Sequence, residues 1–273
     1  MPAAEKRDVI HSRIWQEEAE PDNPFAARIA RCHGYDVYGD MLGKARWVDM
    51  VYLLFRGDAP SEQAAALLDA LALALANPGP RDASVHAAMC GGTGGSPAAA
   101  ALMAALAVGA GNLFGGREVL LAVQDWSDCG TDLAAWRERL SNRPPPVGIS
   151  AWPQPEHPPG FDPHGVGTTL VVRQTLDCLA SLSPGNILVW LKLHRTDLEA
   201  CAGLPLSLAG IAAAAFADLG FAPEEAEILY LILRLPGAAA HALEQWQFGH
   251  KKFPFFKIEF ETLARDDQSE IAP

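Results

Sequence analysis

Alanine and leucine dominate this sequence, and its apolar residues recur at helical spacing, while runs of β-branched residues are few. Both residues favour helices, and that spacing is typical of helices that bury one face. The chain is therefore predicted to be all-α, with many helices and little sheet. Its 273 residues, 49% of them hydrophobic, are enough to bury a large core in one or two domains.

Capping residues and prolines predict where some of these helices begin and end. Ser61 is predicted to cap a helix that runs to about Ala76. Ser96-Pro97 is predicted to open an Ala-rich helix with the proline at its first position. A third helix is predicted to begin at Pro223 and to be interrupted at Pro236-Gly237, because proline lacks the N–H that a helix interior needs.

Two segments rich in proline or glycine are predicted to be irregular. Residues 141–167 contain eight prolines, which favour a rigid path, so this segment is predicted to be a shaped binding loop. The glycine cluster 91–95 lacks the preceding strand and the following Gly-Lys-Ser/Thr of a phosphate-binding loop. It is predicted to be a flexible connection between helices.

Composition and charge exclude several classes of partner. A formal net charge of −12 opposes binding to nucleic acid or acidic lipid, because both require a positive field. The apolar stretches are too short or too interrupted to span a membrane, and the N-terminus has no apolar signal core. The five cysteines are scattered and form no Cys-x-x-Cys pair. We therefore expect a cytoplasmic protein with no metal site and no permanently bound cofactor.

Five groups of residues match, in order along the chain, the signals of one known family. They are Cys32–Asp36 with Asp40–Lys44 and Tyr52–Ser61; the Gly115-Gly116 turn after the Ala-rich helix; His157 with Asp162-Pro163; Leu204–Gly210 leading to Asp218–Phe221; and Arg234–Gln245. On these segments the chain resembles the citrate synthase superfamily. Its short form is similar to citryl-CoA lyase and to the lyase module of ATP-citrate lyase. The resemblance covers roughly residues 28–257.

The resemblance implies a citrate-synthase-like architecture of two helical domains with the active site in the cleft between them. Residues 1–117 and 221–273 would form the large domain, and residues 118–220 the small domain. It also implies a homodimer formed by packed helices.

In the resembled family an acyl-CoA loses an α-proton and its enol attacks the ketone of an α-keto acid, or the reverse occurs. An aspartate takes the proton, one histidine stabilises the enol oxygen, and a second histidine polarises the ketone. The resemblance places Ala209 and Phe114 at the first two positions. Ala151 takes the third if Gly148–Ala151 matches the family's Gly-Phe-Gly-His, and His157 is then the nearby imidazole that can substitute.

These replacements argue against ordinary citrate synthesis. Losing a general base lowers the rate about 10²–10⁴-fold, and losing an oxyanion donor lowers it about 10²–10³-fold. The two factors need not multiply, because residues that act as a unit are not additive. Phe114 and Ala209 therefore indicate a more apolar substrate or a different proton acceptor.

The resemblance also assigns anion-binding positions. Arg234 matches an arginine that binds a substrate carboxylate, for which a planar guanidinium is suited. His164 replaces an arginine and can bind a carboxylate only when it is protonated. Lys251 and Lys252 stand where the family often has Arg-Pro, and lysine keeps the charge but loses bidentate geometry.

Several of these residues also have purely structural interpretations. Arg234 alternatively pairs with Glu225 or Glu227. Lys251 and Lys252 alternatively form a solvated basic turn.

Structural alternatives exist at the replaced catalytic positions as well. Phe114 alternatively fills the cleft as an aromatic at a helix end, and Ala209 is then an ordinary helix residue. Glu118 and Asp162 are the carboxylates nearest in sequence, so a displaced base is a further alternative.

Two functional hypotheses follow. The first is an enzyme that acts on a CoA thioester and a small carboxylate or α-keto acid, by lyase-type cleavage or a related condensation. His157 would polarise a carbonyl and Arg234 would hold a carboxylate. The second is a non-catalytic CoA-ester-binding or regulatory subunit that associates with a homologous catalytic chain. Fold analogy does not choose between them.

Overall fold

A computed structural model describes residues 10–142, 155–253 and 256–258. The N-terminal part forms a small antiparallel sheet in the order β1 (Trp15–Glu20), β2 (Asn23–Cys32), β3 (Tyr35–Asp36). Trp15 pairs with Cys32, and a register shift follows Glu18. A π-helical turn, Val37–Met41, leads from the sheet into the helical body.

Helices form most of the rest of the described chain. They are α1 (Trp47–Arg56), α2 (Glu62–Leu75), α3 (Ala83–Thr93), α4 (Ala98–Gly109), α5 (Gly116–Cys129), α6 (Leu133–Ser141), α7 (Leu170–Leu182), α8 (Ile187–Ala202), α9 (Leu208–Asp218) and α10 (Pro223–Phe248). A 3₁₀ turn, His250–Lys252, follows α10. The prediction of an all-α protein with little sheet is confirmed.

Helix α9 lies at the centre of the main hydrophobic core. Every residue from Ala209 to Phe216 is buried, and α9 contacts α2, α5, α7, α8 and α10. A helix that is apolar on all sides is the kind that other helices surround. The same core contains Leu68 from the predicted large domain and Phe216 from the predicted small domain, so the division into domains stays a prediction.

A second, smaller core joins α3, α4 and α10 through small side chains. It contains Val85, Ala88, Ala101, Ala105, Ala238 and Ala242. Gly92, which was expected in a flexible connection, lies instead in the last turn of α3. A Cβ on Gly92 would lie 2.3 Å from the Ala242 oxygen, so the glycine permits close packing of α3 on α10. The predicted flexible connection is wrong for residues 91–93, which belong to α3.

The predicted helix starts are confirmed at Ser61 and nearly so at Pro97. The Ser61 hydroxyl accepts a hydrogen bond from the Ala64 amide at 3.1 Å, which satisfies one free N–H of the first turn. Pro97 is the N-cap of α4 and not its first helical residue, a shift of one position from the prediction.

The predicted interruption at Pro236 is wrong. Helix α10 continues through Pro236 to Phe248. The next amide, Gly237 N–H, donates to the Ala76 oxygen just beyond α2 at 2.7 Å. Packing against α3 and α5 also stabilises both halves of α10, and tertiary packing of this kind overrides local preference.

Helix α10 is long and apolar enough to cross a membrane by length and composition alone. Its packing against α3, α4 and α5 is that of a core helix within the molecule.

Candidate functional site

The turn that joins α4 to α5 places Phe114 in an unusual backbone conformation. Phe114 has φ +52°, in the left-handed region that costs a non-glycine residue about 1–3 kcal/mol. Its N–H donates to the carboxylate of Glu118, one turn further along α5. Its carbonyl accepts hydrogen bonds from Arg234 Nη1 at 2.6 Å and from the Tyr230 hydroxyl at 3.1 Å. Hydrogen bonds between the Phe114 backbone and the side chains of Glu118, Arg234 and Tyr230 therefore stabilise this turn.

Arg234 lies buried on α10 and already has a carboxylate partner. Its Nη2 forms an ion pair with Asp82, and its Nη1 donates to the Tyr230 hydroxyl at 2.5 Å. Arg234 therefore pairs with neither Glu225 nor Glu227, the alternatives raised by the sequence, and Glu225 pairs with Arg56. Asp82 was not recognised from the sequence, where its only signal is that of an ordinary N-cap aspartate, ahead of α3.

Burial and charge fix the protonation of this group. Burial lowers the pKa of Arg234, but Tyr230 and Asp82 outweigh it and hold that pKa above its ordinary value. Burial raises the pKa of the Asp82 carboxyl, but the Arg234 charge and the Ser84 hydrogen bonds outweigh it and leave that pKa below its ordinary value. Burial raises the pKa of Tyr230 to about 12. At neutral pH the group is a charged pair beside a neutral phenol.

A cleft of about 230 Å³ opens above this pair. Its wall contains Leu75, Pro78, Asp82, Phe114, Asp162, Gly167, Thr169, Val172, Leu206, Ser207, Leu208, Ala209, Tyr230 and Arg234. Three residues that the sequence singled out, Phe114, Ala209 and Arg234, thus meet in one cleft although they are far apart in the chain.

Two extended segments form one side of the cleft. Asp162 N–H donates to the Pro205 oxygen at 2.8 Å, and Ser207 N–H donates to the Gly160 oxygen at 3.0 Å. A Cβ on Gly210 would lie 2.2 Å from the Gly160 oxygen, so glycine is required for this close approach. The Ser207 hydroxyl accepts from the Gly210 amide at 3.1 Å and caps α9, which sets Ala209 in the first turn.

Glu118 ties the two sides of the cleft together. It is 1% exposed, and besides the Phe114 amide it accepts a hydrogen bond from Gly160 N–H at 2.9 Å. One carboxylate at the N-terminus of α5 therefore links the Phe114 turn to the segment that packs on α9. The sequence raised Glu118 only as a displaced base, and its contacts indicate a positioning role.

His157, the predicted catalytic residue, is not among the residues that line the cleft. Its side chain is 8% exposed, and its Nε2 lies 3.8 Å from Glu118 Oε1. That nitrogen has no hydrogen-bond partner among the described residues. The catalytic role of His157 stays a prediction.

The other predicted anion-binding residues lie apart from the cleft lining. His164 is exposed, and its backbone N–H donates to Asp162 Oδ1 at 2.9 Å. Lys251 and Lys252 are exposed in the 3₁₀ turn, and Lys252 Nζ lies 5.1 Å from the Phe248 ring centroid. Ala151 lies outside the described residues. Across 10–142, 155–253 and 256–258 no three His, Cys, Asp or Glu side chains converge as a metal site requires.

Solved structures with the same fold come from the resembled superfamily. Citryl-CoA lyase from Hydrogenobacter thermophilus is 17% identical, with a TM-score of 0.69 over 94% of this chain and 98% of that one. ATP citrate lyase from Methanothrix soehngenii, in complex with citrate and coenzyme A, is 17% identical, with a TM-score of 0.71 over 97% of this chain and 43% of that one. Citrate synthase from Thermoplasma acidophilum is 18% identical, with a TM-score of 0.56 over 83% of this chain and 60% of that one.

No protein-family model and no curated protein sequence matches the chain. The structural likeness shows that the chain has the citrate-synthase-like fold that its motifs predicted. Activity is a property of the site and does not follow from the fold.

Proposed function

We propose that this protein binds a CoA thioester in the cleft beside Phe114 and does not catalyse the Claisen chemistry of the fold. The main observation in support is that the cleft combines Phe114 and Ala209 with an arginine that is already paired to Asp82. The protein would then act as a non-catalytic or regulatory CoA-ester-binding subunit, the second of the two sequence hypotheses.

The first support is the chemistry of the cleft wall. A phenyl ring has no N–H to stabilise an enolate oxygen, and a methyl group cannot accept an α-proton. Stabilisation of developing charge by donors of this kind is usually the largest single contribution to catalysis. His157, which was expected to compensate, packs against Glu118 and not in the cleft lining.

The second support is the charge of the cleft. Its described lining contains two carboxylates, Asp82 and Asp162, and one guanidinium, Arg234, so the formal charge of these residues is negative. A dicarboxylate such as oxaloacetate meets like charge there, and like charges disfavour binding. A thioester group is neutral and has no such penalty.

The CoA portion of the proposal comes from the fold. The similar ATP citrate lyase was solved with citrate and coenzyme A. In this chain Arg234, Tyr230 and Glu118 hold the Phe114 turn, which lines the cleft where the thioester is proposed to bind. CoA would be a ligand and not a permanently bound cofactor.

The enzyme hypothesis is retained on one observation. Asp162 lines the cleft, and its Oδ1 accepts a hydrogen bond from the His164 amide at 2.9 Å. On the enzyme hypothesis this carboxylate would serve as the displaced base. The enzyme would be a lyase or condensing enzyme that acts on a CoA thioester.

A homodimer is part of the proposal. Helix α4 contains no polar side chain over its 12 residues, yet it buries only Ala101, Ala105 and Gly109. Met103 on α4 is 62% exposed, and Trp246 on the neighbouring α10 is 64% exposed. Large exposed apolar surfaces of this kind mark protein interfaces. A second copy would cover this face, and a homologous catalytic chain is the competing occupant.

Calorimetric titration with acetyl-CoA, propionyl-CoA and citryl-CoA tests the proposal, in parallel with thioester absorbance recorded with and without α-keto acids. Binding without turnover is expected. Turnover that is lost in Asp162→Asn or His157→Ala, but kept in the exposed control Asp197→Asn, would replace the proposal with the enzyme hypothesis. Absence of any CoA-ester binding would reject both.

A further inference from the structure

Among the residues that the structure describes, the inner surface of the cleft is mainly apolar and contains no free cation. Its apolar side chains come from α2, α7, the α4–α5 turn, the extended segment before α9 and the first turn of α9; they include Leu75, Phe114, Val172, Leu206, Leu208 and Ala209. Arg234, the cation in the described part of the lining, is held by Asp82, Tyr230 and the Phe114 carbonyl.

An ionised acyl group is therefore poorly matched to the cleft. Its carboxylate would have to displace Asp82 from Arg234 or lie unpaired beside Asp162, and a buried charge without a partner is strongly disfavoured. A saturated hydrocarbon chain needs no polar partner and gains from leaving water.

The size of the cleft sets the scale of that chain. Its volume of about 230 Å³ corresponds to roughly seven or eight water-sized groups at about 30 Å³ each. The carbonyl and sulfur of a thioester fill part of that space, which leaves room for a short chain.

We infer that the cleft selects an uncharged aliphatic acyl group of roughly four to six carbons, with Phe114 as its end wall and Ala209 as the small residue that gives it room. This inference rests on the proposed binding of a thioester and names the acyl group that the same cleft takes.

The test is a chain-length series on the full protein. Dissociation constants are measured for acetyl-, butyryl-, hexanoyl- and decanoyl-CoA, with succinyl-CoA as the charged counterpart of butyryl-CoA. Affinity should rise about fourfold per added methylene up to the hexanoyl chain, and the decanoyl chain should gain no more. Succinyl-CoA should bind more weakly than butyryl-CoA. Equal affinity along the series, or tighter binding of succinyl-CoA, would overturn the inference and leave the proposed function standing.

Hexanoyl-N-acetylcysteamine, a neutral thioester without the nucleotide, separates the two claims. If it binds while no CoA ester does, the proposed CoA function fails and the acyl selectivity stands. If neither binds, both fail.

Two variants locate the selectivity in the cleft. Ala209→Asp should remove the preference for hexanoyl over acetyl chains, whereas Ala200→Asp on the exposed face of α8 should leave it unchanged. Because Ala209 is 1% exposed, an aspartate at that position also destabilises the fold, and Phe114→Ala is therefore the second variant. Phe114→Ala should move the preferred chain to longer lengths. An unchanged chain-length profile in Phe114→Ala would show that the acyl group binds elsewhere.

Discussion

Replacing Asp82 with alanine tests whether one carboxylate neutralises Arg234 in the cleft. The Arg234 side chain is 7% exposed and that of Asp82 is 16% exposed. Removing one partner of a buried pair costs about 3–5 kcal/mol, because the remaining charge stays buried. The partial exposure of Asp82 favours the lower end of that range.

Asp82 also accepts hydrogen bonds from the Ser84 and Val85 amides and so caps α3, and losing a cap costs about 1 kcal/mol. The sum predicts that Asp82→Ala lowers the free energy of unfolding by about 4 kcal/mol. For a protein of this size that loss lowers the melting temperature by about 8–16 °C.

Urea denaturation followed by circular dichroism measures this loss, and Asp132→Ala is the matched control. Asp132 caps α6 by accepting from the Ala134 and Ala135 amides, and no ion pair of Asp132 occurs in the described chain. Its removal should cost about 1 kcal/mol. If Asp82→Ala costs no more than Asp132→Ala, the ion pair contributes nothing and Arg234 is free to bind a substrate carboxylate.

Three further outcomes are expected. Tyr230→Phe should remove a phenol that titrates near pH 12, as followed by phenolate absorbance. Because the folded-state pKa of Tyr230 is raised, the wild-type protein should lose stability from about pH 10 upward. The variant should lose less stability over that range. Phe114→His combined with Ala209→Asp should raise citryl-CoA cleavage by about 10²-fold or more, and neither single change should suffice. Met103→Asp should convert the proposed dimer to a monomer in light scattering, whereas Leu73→Asp, an exposed position on α2, should not.

The sequence could predict the parts of the fold that depend on neighbouring residues. The Ser61 cap and the start of α10 at Pro223 involve groups within a few positions of each other, and the structure agrees with both. Pro236 was misjudged because its neighbour Gly237 bonds to Ala76, which lies just beyond α2 and is distant in the chain. Gly92 was misjudged for the same reason, since its partner Ala242 is distant in the chain.

The candidate site likewise has parts that the sequence could predict and parts that it could not. Matching short motifs was enough to predict that Phe114, Ala209 and Arg234 meet, because the fold brings those segments together. Asp82 could not be predicted as the partner of Arg234, because the two are 152 positions apart and an N-capping aspartate is ordinary in sequence. This unpredicted partner changes the expected chemistry, because Arg234 is a neutralised cation and not a free one.

The Phe114 turn shows how the fold and the chemistry can separate. The left-handed backbone at residue 114 is held by Glu118 at its amide and by Arg234 and Tyr230 at its carbonyl, and none of these contacts involves the side chain of residue 114. A histidine there would inherit the same backbone, because the contacts that hold the turn do not depend on the side chain. The side chain at 114 is therefore free to determine what the cleft accepts, and a lining that contains an aromatic ring and the Ala209 methyl group favours hydrocarbon over a reacting carbonyl. Restoring the histidine thus tests the chemistry of the cleft and not the stability of the turn.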